Sequence, residues 1–182
     1  MGSRWVPDGY DCAAICGIAL ALLGGSVAGG QTGAEPEAEP TVTCNHIVLR
    51  DRSGTADGFR VLLETVFVPG AHHLAATAAA TGRGTWSHYR NAGIAIRGGT
   101  STVSVSVPDG WRDRIALSWG GSRPSSSIRF SPCATTKAGL WNSYSGGFHL
   151  RGRADCAPLL VASGGLSTTI RVGLGRACGI PH

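Results

Sequence analysis

The sequence predicts an all-β fold: a disulfide-stapled antiparallel β-sandwich, immunoglobulin-like or jelly-roll-like, of eight to nine strands. Three observations carry this. Short apolar runs alternate with polar residues at a period of two, which gives a strand one buried and one wet face. Turns rich in Gly and Pro separate those runs at regular spacing. The composition agrees, with 28 Gly among 182 residues, 42% hydrophobic and only 15% charged. Such a chain is neither a coiled coil nor a disordered polymer.

The N-terminal element is the apolar run 13–28, AAICGIALALLGGSVA. A transmembrane helix needs about 20 residues, so the run fits the core of an export signal better. Ser26-Val27-Ala28 and Ala28-Gly29-Gly30 supply the small residues of a cleavage site. Residues 1–30 therefore read as a signal peptide, although Arg4 is offset by Asp8 and Asp11. The mature protein is expected outside the cell, with no stable membrane insertion after cleavage; a retained anchor is the alternative. Next come Glu35-Pro36-Glu37-Ala38-Glu39-Pro40, where Pro removes donors and like charges repel. Residues 31–43 read as a disordered Glu/Pro spacer. The folded body begins near Thr41, and residues 44–182 form a single β-sandwich domain.

Within the body the first strands are expected at Asn45–Arg50 and Gly58–Val68, with Glu64 as the outward residue of an edge strand. Ala71–Thr81 is Ala-rich enough for a short helix or an irregular excursion. In Ser101–Val107, Val103, Val105 and Val107 alternate with Thr102, Ser104 and Ser106, and Pro108-Asp109-Gly110 then turns the chain. Arg114–Trp119 and Ser127–Phe130 continue the alternation. Gly139–Arg151 is interrupted by Gly146-Gly147, which suggests a bulge. Ala157–Val161 and Thr168–Leu174 are joined through Ser163-Gly164-Gly165, a hairpin signal.

Of six cysteines, Cys12 and Cys16 fall in the leader. Cys44, Cys133, Cys156 and Cys178 remain, an even set that reads as two disulfides in an exported chain. Three pairings are open. The preferred one is Cys133–Cys156 with Cys44–Cys178, which would staple the first and last strands. No CxxC pair suggests zinc or redox chemistry.

Residues 44–178 hold 15 basic and 6 acidic side chains, a net +9. That charge favours anionic partners such as a cell-wall polymer. The basic residues are dispersed, so no specific nucleic-acid partner is expected. The six carboxylates sit at turn-like or edge positions and nominate no acid–base pair. The sequence has no GxSxG elbow, no HExxH and no phosphate loop. His72-His73 with His46, His88 or His149 lack the tight spacing of metal ligands. The expectation is thus no catalytic residue, no metal and no cofactor. The best candidate ligand site is aromatic and cationic: Trp86, Tyr89, Arg90, Trp111, Arg112 and Arg114. Aromatic rings stack on sugars or peptides, and Arg grips carboxylate or phosphate in bidentate fashion. Trp119 and Trp141 read as core, and Trp111, after its turn, as exposed.

Several blocks together are distinctive. They are Trp86-Ser87-His88-Tyr89-Arg90-Asn91, Trp111-Arg112-Asp113-Arg114, Ser118-Trp119-Gly120, Trp141-Asn142-Ser143-Tyr144-Ser145-Gly146-Gly147-Phe148, and three C-terminal cysteines. This series resembles a family of small secreted actinobacterial proteins over about half of the chain. The resemblance implies export and a single β domain, and it implies no activity. The functional expectation is a secreted, non-enzymatic module that binds cell wall or an extracellular protein. An exported hydrolase, or an inhibitor of an extracellular protease using the loop Ala134–Gly139, is the alternative.

Overall fold

A computed structural model describes residues 38–51, 59–70, 74, 84–153 and 155–178, with the backbone of 79–80. The expected export signal, residues 31–37 of the expected spacer, His72, His73 and most of Ala71–Thr81 lie outside the described residues. Fourteen strands, numbered in chain order, form three sheets among the described residues. The first sheet runs β1 (Thr41–Val42), β10 (Ser127–Phe130), β8 (Val103–Ser106), β13 (Asp155–Ser163), β14 (Leu166–Leu174). The second runs β2 (Ile47–Asp51), β11 (Trp141–Tyr144), β7 (Ile94–Arg97), β4 (Val66–Pro69), β3 (Phe59–Leu62). The third runs β5 (Ala79–Ala80), β6 (His88–Asn91), β12 (Gly146–Leu150), β9 (Ile115–Trp119). Pairing is antiparallel except between β1 and β10. The all-β, disulfide-stapled, sandwich-like fold expected from the alternation is the one observed.

Alternation does the sorting in the first sheet. Val103 and Val105 are buried while Ser104 and Ser106 are half-exposed. Ala157, Leu159 and Val161 on β13, and Ile170, Val172 and Leu174 on β14, face the same interior. The β13–β14 hairpin closes on Gly164-Gly165, both at positive φ (57° and 80°), with Ser163 paired to Leu166. A two-residue turn of type I′ needs that conformation at both positions. One core collects side chains from all three sheets, including Phe130, Leu159, Val66, Ile94, Leu117 and Phe148. Trp119 sits at its centre, edge-on to Phe148 at 5.5 Å and tilted on Phe130 at 6.1 Å. Trp141 is buried too, but in a separate cluster with Phe67 and Ala95 on the opposite face of the second sheet.

The strands are more numerous than the sequence suggests, because three stretches bend, while β13 and β14 are longer than their alternation indicates, at nine residues each. Gly58–Val68 is not one strand. It folds back at Leu63 and Glu64, both left-handed (φ 49° and 56°), so β3 and β4 form a hairpin. Glu64 therefore lies in a turn and not on an edge strand. The run through Gly146-Gly147 passes from the second sheet (β11) to the third (β12). The chain from Asn91 to Ile94 makes the same exchange in the opposite direction, from β6 to β7. These two exchanges meet where Ala92 N donates to Gly146 O at 2.8 Å and the Trp119 indole donates to Ala92 O at 2.8 Å. Strands that switch sheets through bends make the corners of such sandwiches.

The disulfides are Cys44–Cys133 and Cys156–Cys178, with Cα atoms 5.6 and 5.3 Å apart. This corrects the preferred pairing of Cys133–Cys156 with Cys44–Cys178. The reason is topological. The parallel pairing of β1 with β10 brings Cys44, just after Val42, beside Cys133, just after Phe130. The tail after β14 folds back past Gly173, which lies opposite Cys156. Closing loops of 89 and 22 residues removes about 4.5 and 3 kcal/mol of denatured-chain entropy in the loop-closure account.

Glu39 corrects the end of the spacer. Its carboxylate accepts from Ser104 Oγ at 3.3 Å, from Ser127 Oγ, and from Arg129 Nε at 3.0 Å. Pro40 O accepts from Arg129 N at 3.0 Å. The segment from Glu39 to Thr43 thus belongs to the folded body, because the hydroxyls of β8 and β10 and one guanidinium satisfy the acid.

Candidate functional site

The outer face of the third sheet carries the best-formed polar cluster. Tyr89 on β6 lies directly opposite His149 on β12, and their rings sit 4.8 Å apart. Ser118 on β9 lies opposite Gly147, so His149 is its diagonal neighbour on the same face. Gly147 has no side chain there, and His149 Nε2 reaches Ser118 Oγ at 2.8 Å. Gly147 is needed for a second reason: a Cβ would come 2.0 Å from Arg90 O. Tyr89 and Ser118 share this face of the sheet. In the tautomer with its proton on Nδ1, His149 Nε2 accepts from the Ser118 hydroxyl.

Burial orders the protonation states. It pushes the His149 pKa below the ordinary 6.5, which keeps the ring neutral near pH 7. It pushes the Tyr89 pKa up from the ordinary 10.0, against a smaller lowering influence of Ser118, so the phenol stays protonated.

Tyr89 and Ser118 open onto a groove of about 440 Å³ between the third sheet and β2. The other walls are Asn45, His46, Ile47, Val48, Gly120, Gly121, Ser145 and Gly146. Two local features shape it. A bulge opposite Ser143/Tyr144 leaves Val48 unpaired on β2 and 65% exposed. His46 ends a 3₁₀ turn (Cys44–His46) whose ring Nδ1 accepts from Thr43 N at 3.1 Å, and it packs where a Gly120 Cβ would be. The lining holds hydroxyl, amide, imidazole and apolar groups, with no carboxylate, Arg or Lys.

The six candidate residues do not form one patch. Tyr89 is in the groove. Arg90, its neighbour, points to the other face of β6, where its Nε is buried without a hydrogen-bond partner. Trp86 is half-buried just before β6. Trp111 belongs to a 3₁₀ turn (Asp109–Trp111) and packs half-buried against the core. The Arg114 guanidinium stacks over its ring at 4.2 Å and bonds Asp155 at 2.6 Å, while Arg112 pairs with Asp109 at 2.7 Å. Both cations already hold a carboxylate.

Sequence reasoning missed Ser118, Asn45, Val48 and Ser145, and it weighed His46 and His149 only as metal ligands. Among the described residues no group of three His, Cys, Asp or Glu is placed to hold a metal ion. Nor is any described helix long and apolar enough to cross a membrane. The chain matches no protein-family model, no curated protein and no solved structure.

Proposed function

We propose that this chain is an exported, non-enzymatic binding module of the cell surface, and that its groove takes a neutral stretch of cell-wall glycan. The observation that carries this reading is the groove lining: a tyrosine ring, Ser118, Ser145 and Asn45 as hydrogen-bonding groups, apolar Ile47 and Val48, and no carboxylate, Arg or Lys. Sugars present apolar faces and hydroxyl edges, and a mostly apolar concavity with a few fixed polar groups suits them. The net +9 of residues 44–178 adds a separate, salt-sensitive attraction to anionic wall polymer. Four disulfide-bonded cysteines agree with an oxidising compartment.

Co-sedimentation with purified peptidoglycan tests this. Binding should persist in 1 M salt, roughly three ångströms of screening length, because the groove contact is uncharged. Tyr89→Ala should weaken it about tenfold in protein that is still folded by circular dichroism, with a lowered melting temperature because the half-buried ring packs on His149. Binding that vanishes with salt and ignores Tyr89 would leave only a basic surface.

A second reading, an exported hydrolase with Ser118 as nucleophile and His149 as base, is favoured by their 2.8 Å contact. The groove lining contains no carboxylate to orient the imidazole. Labelling of the native protein by a fluorophosphonate, lost in Ser118→Ala, would establish that reading.

A further inference from the structure

The connection between β10 and β11 is anchored at both ends. At its start, Cys133 is bonded to Cys44, and the Cys133 carbonyl accepts from Gly99 N at 3.0 Å and Asn142 Nδ2 at 3.1 Å. At its end, Leu140 O accepts from Gly98 N at 3.0 Å. In the middle, Thr135 Oγ1 donates to the carbonyl of Lys137 at 2.9 Å. The Thr135 side chain rests against Gly98, where a Cβ would lie 2.2 Å from its Cγ2. Glycine at 98 is what lets this side chain seat. The backbone is thus fixed at both ends and braced inside, while Thr136, Lys137, Ala138 and Gly139 are exposed. Lys137 is the single lysine of a chain whose other 15 basic residues are Arg. Residues 131–140 contain no acidic side chain.

We propose that this loop inhibits an extracellular serine protease whose specificity pocket ends in a carboxylate, with Lys137 as the residue that enters the pocket. An acidic pocket selects a cation on a long, slender stem, and the lysine side chain is a point charge on four flexible carbons. Small neighbours, Thr136 and Ala138, let the loop backbone approach the protease cleft. The Lys137 carbonyl uses one lone pair for Thr135 and keeps the other for the protease. Bracing matters because a pre-ordered loop loses little conformational freedom on binding, and complexes of this kind gain affinity mainly that way. The loop shares no residue with the groove lining, so this surface and the glycan site can fail independently.

Trypsin is the probe. The folded native protein should inhibit its hydrolysis of a chromogenic arginine anilide near one-to-one stoichiometry. Lys137→Ala should weaken inhibition on the order of 100-fold, as loss of a central anchor does, with an unchanged melting temperature because the side chain is exposed. Lys137→Arg should retain it to within about tenfold, since both cations fit the pocket. Thr135→Val keeps Lys137 but removes the brace, and should convert the loop into a substrate cut after Lys137. Uninhibited trypsin in the presence of excess native protein would overturn the proposal, as would Lys137→Ala inhibiting as well as native. A Thr135→Val variant that inhibits like the native protein would overturn the role given to the brace.

Discussion

Ser118 and His149 share one hydrogen bond across neighbouring strands, with the Tyr89 ring packed on the imidazole. The linkage to pH follows from His149. Its folded pKa is depressed by burial, so below about pH 6.5 the unfolded chain takes up a proton that the folded chain resists. The stability contribution is present above that pH and is lost as pH falls through the folded value. Urea unfolding of the native protein should show falling stability just below pH 6.5, and His149→Gln should flatten that slope. A slope that survives in His149→Gln would place its origin elsewhere. Gly147 supports the same cluster from behind. With Arg90 O only 2.0 Å from a would-be Cβ, Gly147→Ala forces β6 and β12 apart and should cost about 3 kcal/mol. A melting temperature equal to native would show that the sheet relaxes freely. At this scale the sequence was partly readable. Tyr89 stood out as an aromatic in a polar stretch. Ser118 did not, because one serine among many gains its meaning only from the register that sets it beside His149.

Elements were legible wherever alternation or glycine marked them. The Ser101–Val107 strand and the Gly164-Gly165 hairpin formed as their patterns require. Two kinds of element were hidden. The β3–β4 turn uses Leu63 and Glu64 at positive φ, a conformation that disfavours both residues, so no turn residue announces it. β6 and β7 lie in Trp86–Arg97, where no period of two runs long enough, because the strand leaves one sheet for another after four residues. Trp111 shows the same limit. The turn Pro108-Asp109-Gly110 made it look exposed, yet the chain continues as a 3₁₀ turn and tucks the indole against the core under Arg114. Trp111→Ala should therefore cost about 2 kcal/mol, roughly half of a fully buried Trp truncation. Thermal or urea unfolding decides it, and a loss below about 0.5 kcal/mol would return Trp111 to the surface class.

On the scale of the molecule, three sheets share one core, and each disulfide ties one end of the folded body to an interior segment that strand pairing has already brought beside it. The cysteine count was readable, but the pairing was not, since it depends on β1 lying parallel to β10, a contact of two residues. The +9 body charge was equally plain in the sequence, while the neutral groove within it was not. It arises where β2 bulges beside a corner at which strands change sheets, and no single run of sequence contains it. The most direct measurement is a backbone NMR titration of the folded protein with a soluble N-acetylglucosamine tetramer, a neutral probe. Shifts should concentrate on Asn45, Val48, Tyr89, Ser118 and Ser145 and require about tenfold more probe in Tyr89→Ala. No shift at saturating probe, or shifts confined to the Arg-bearing turns around Trp111, would contradict the groove as the binding site.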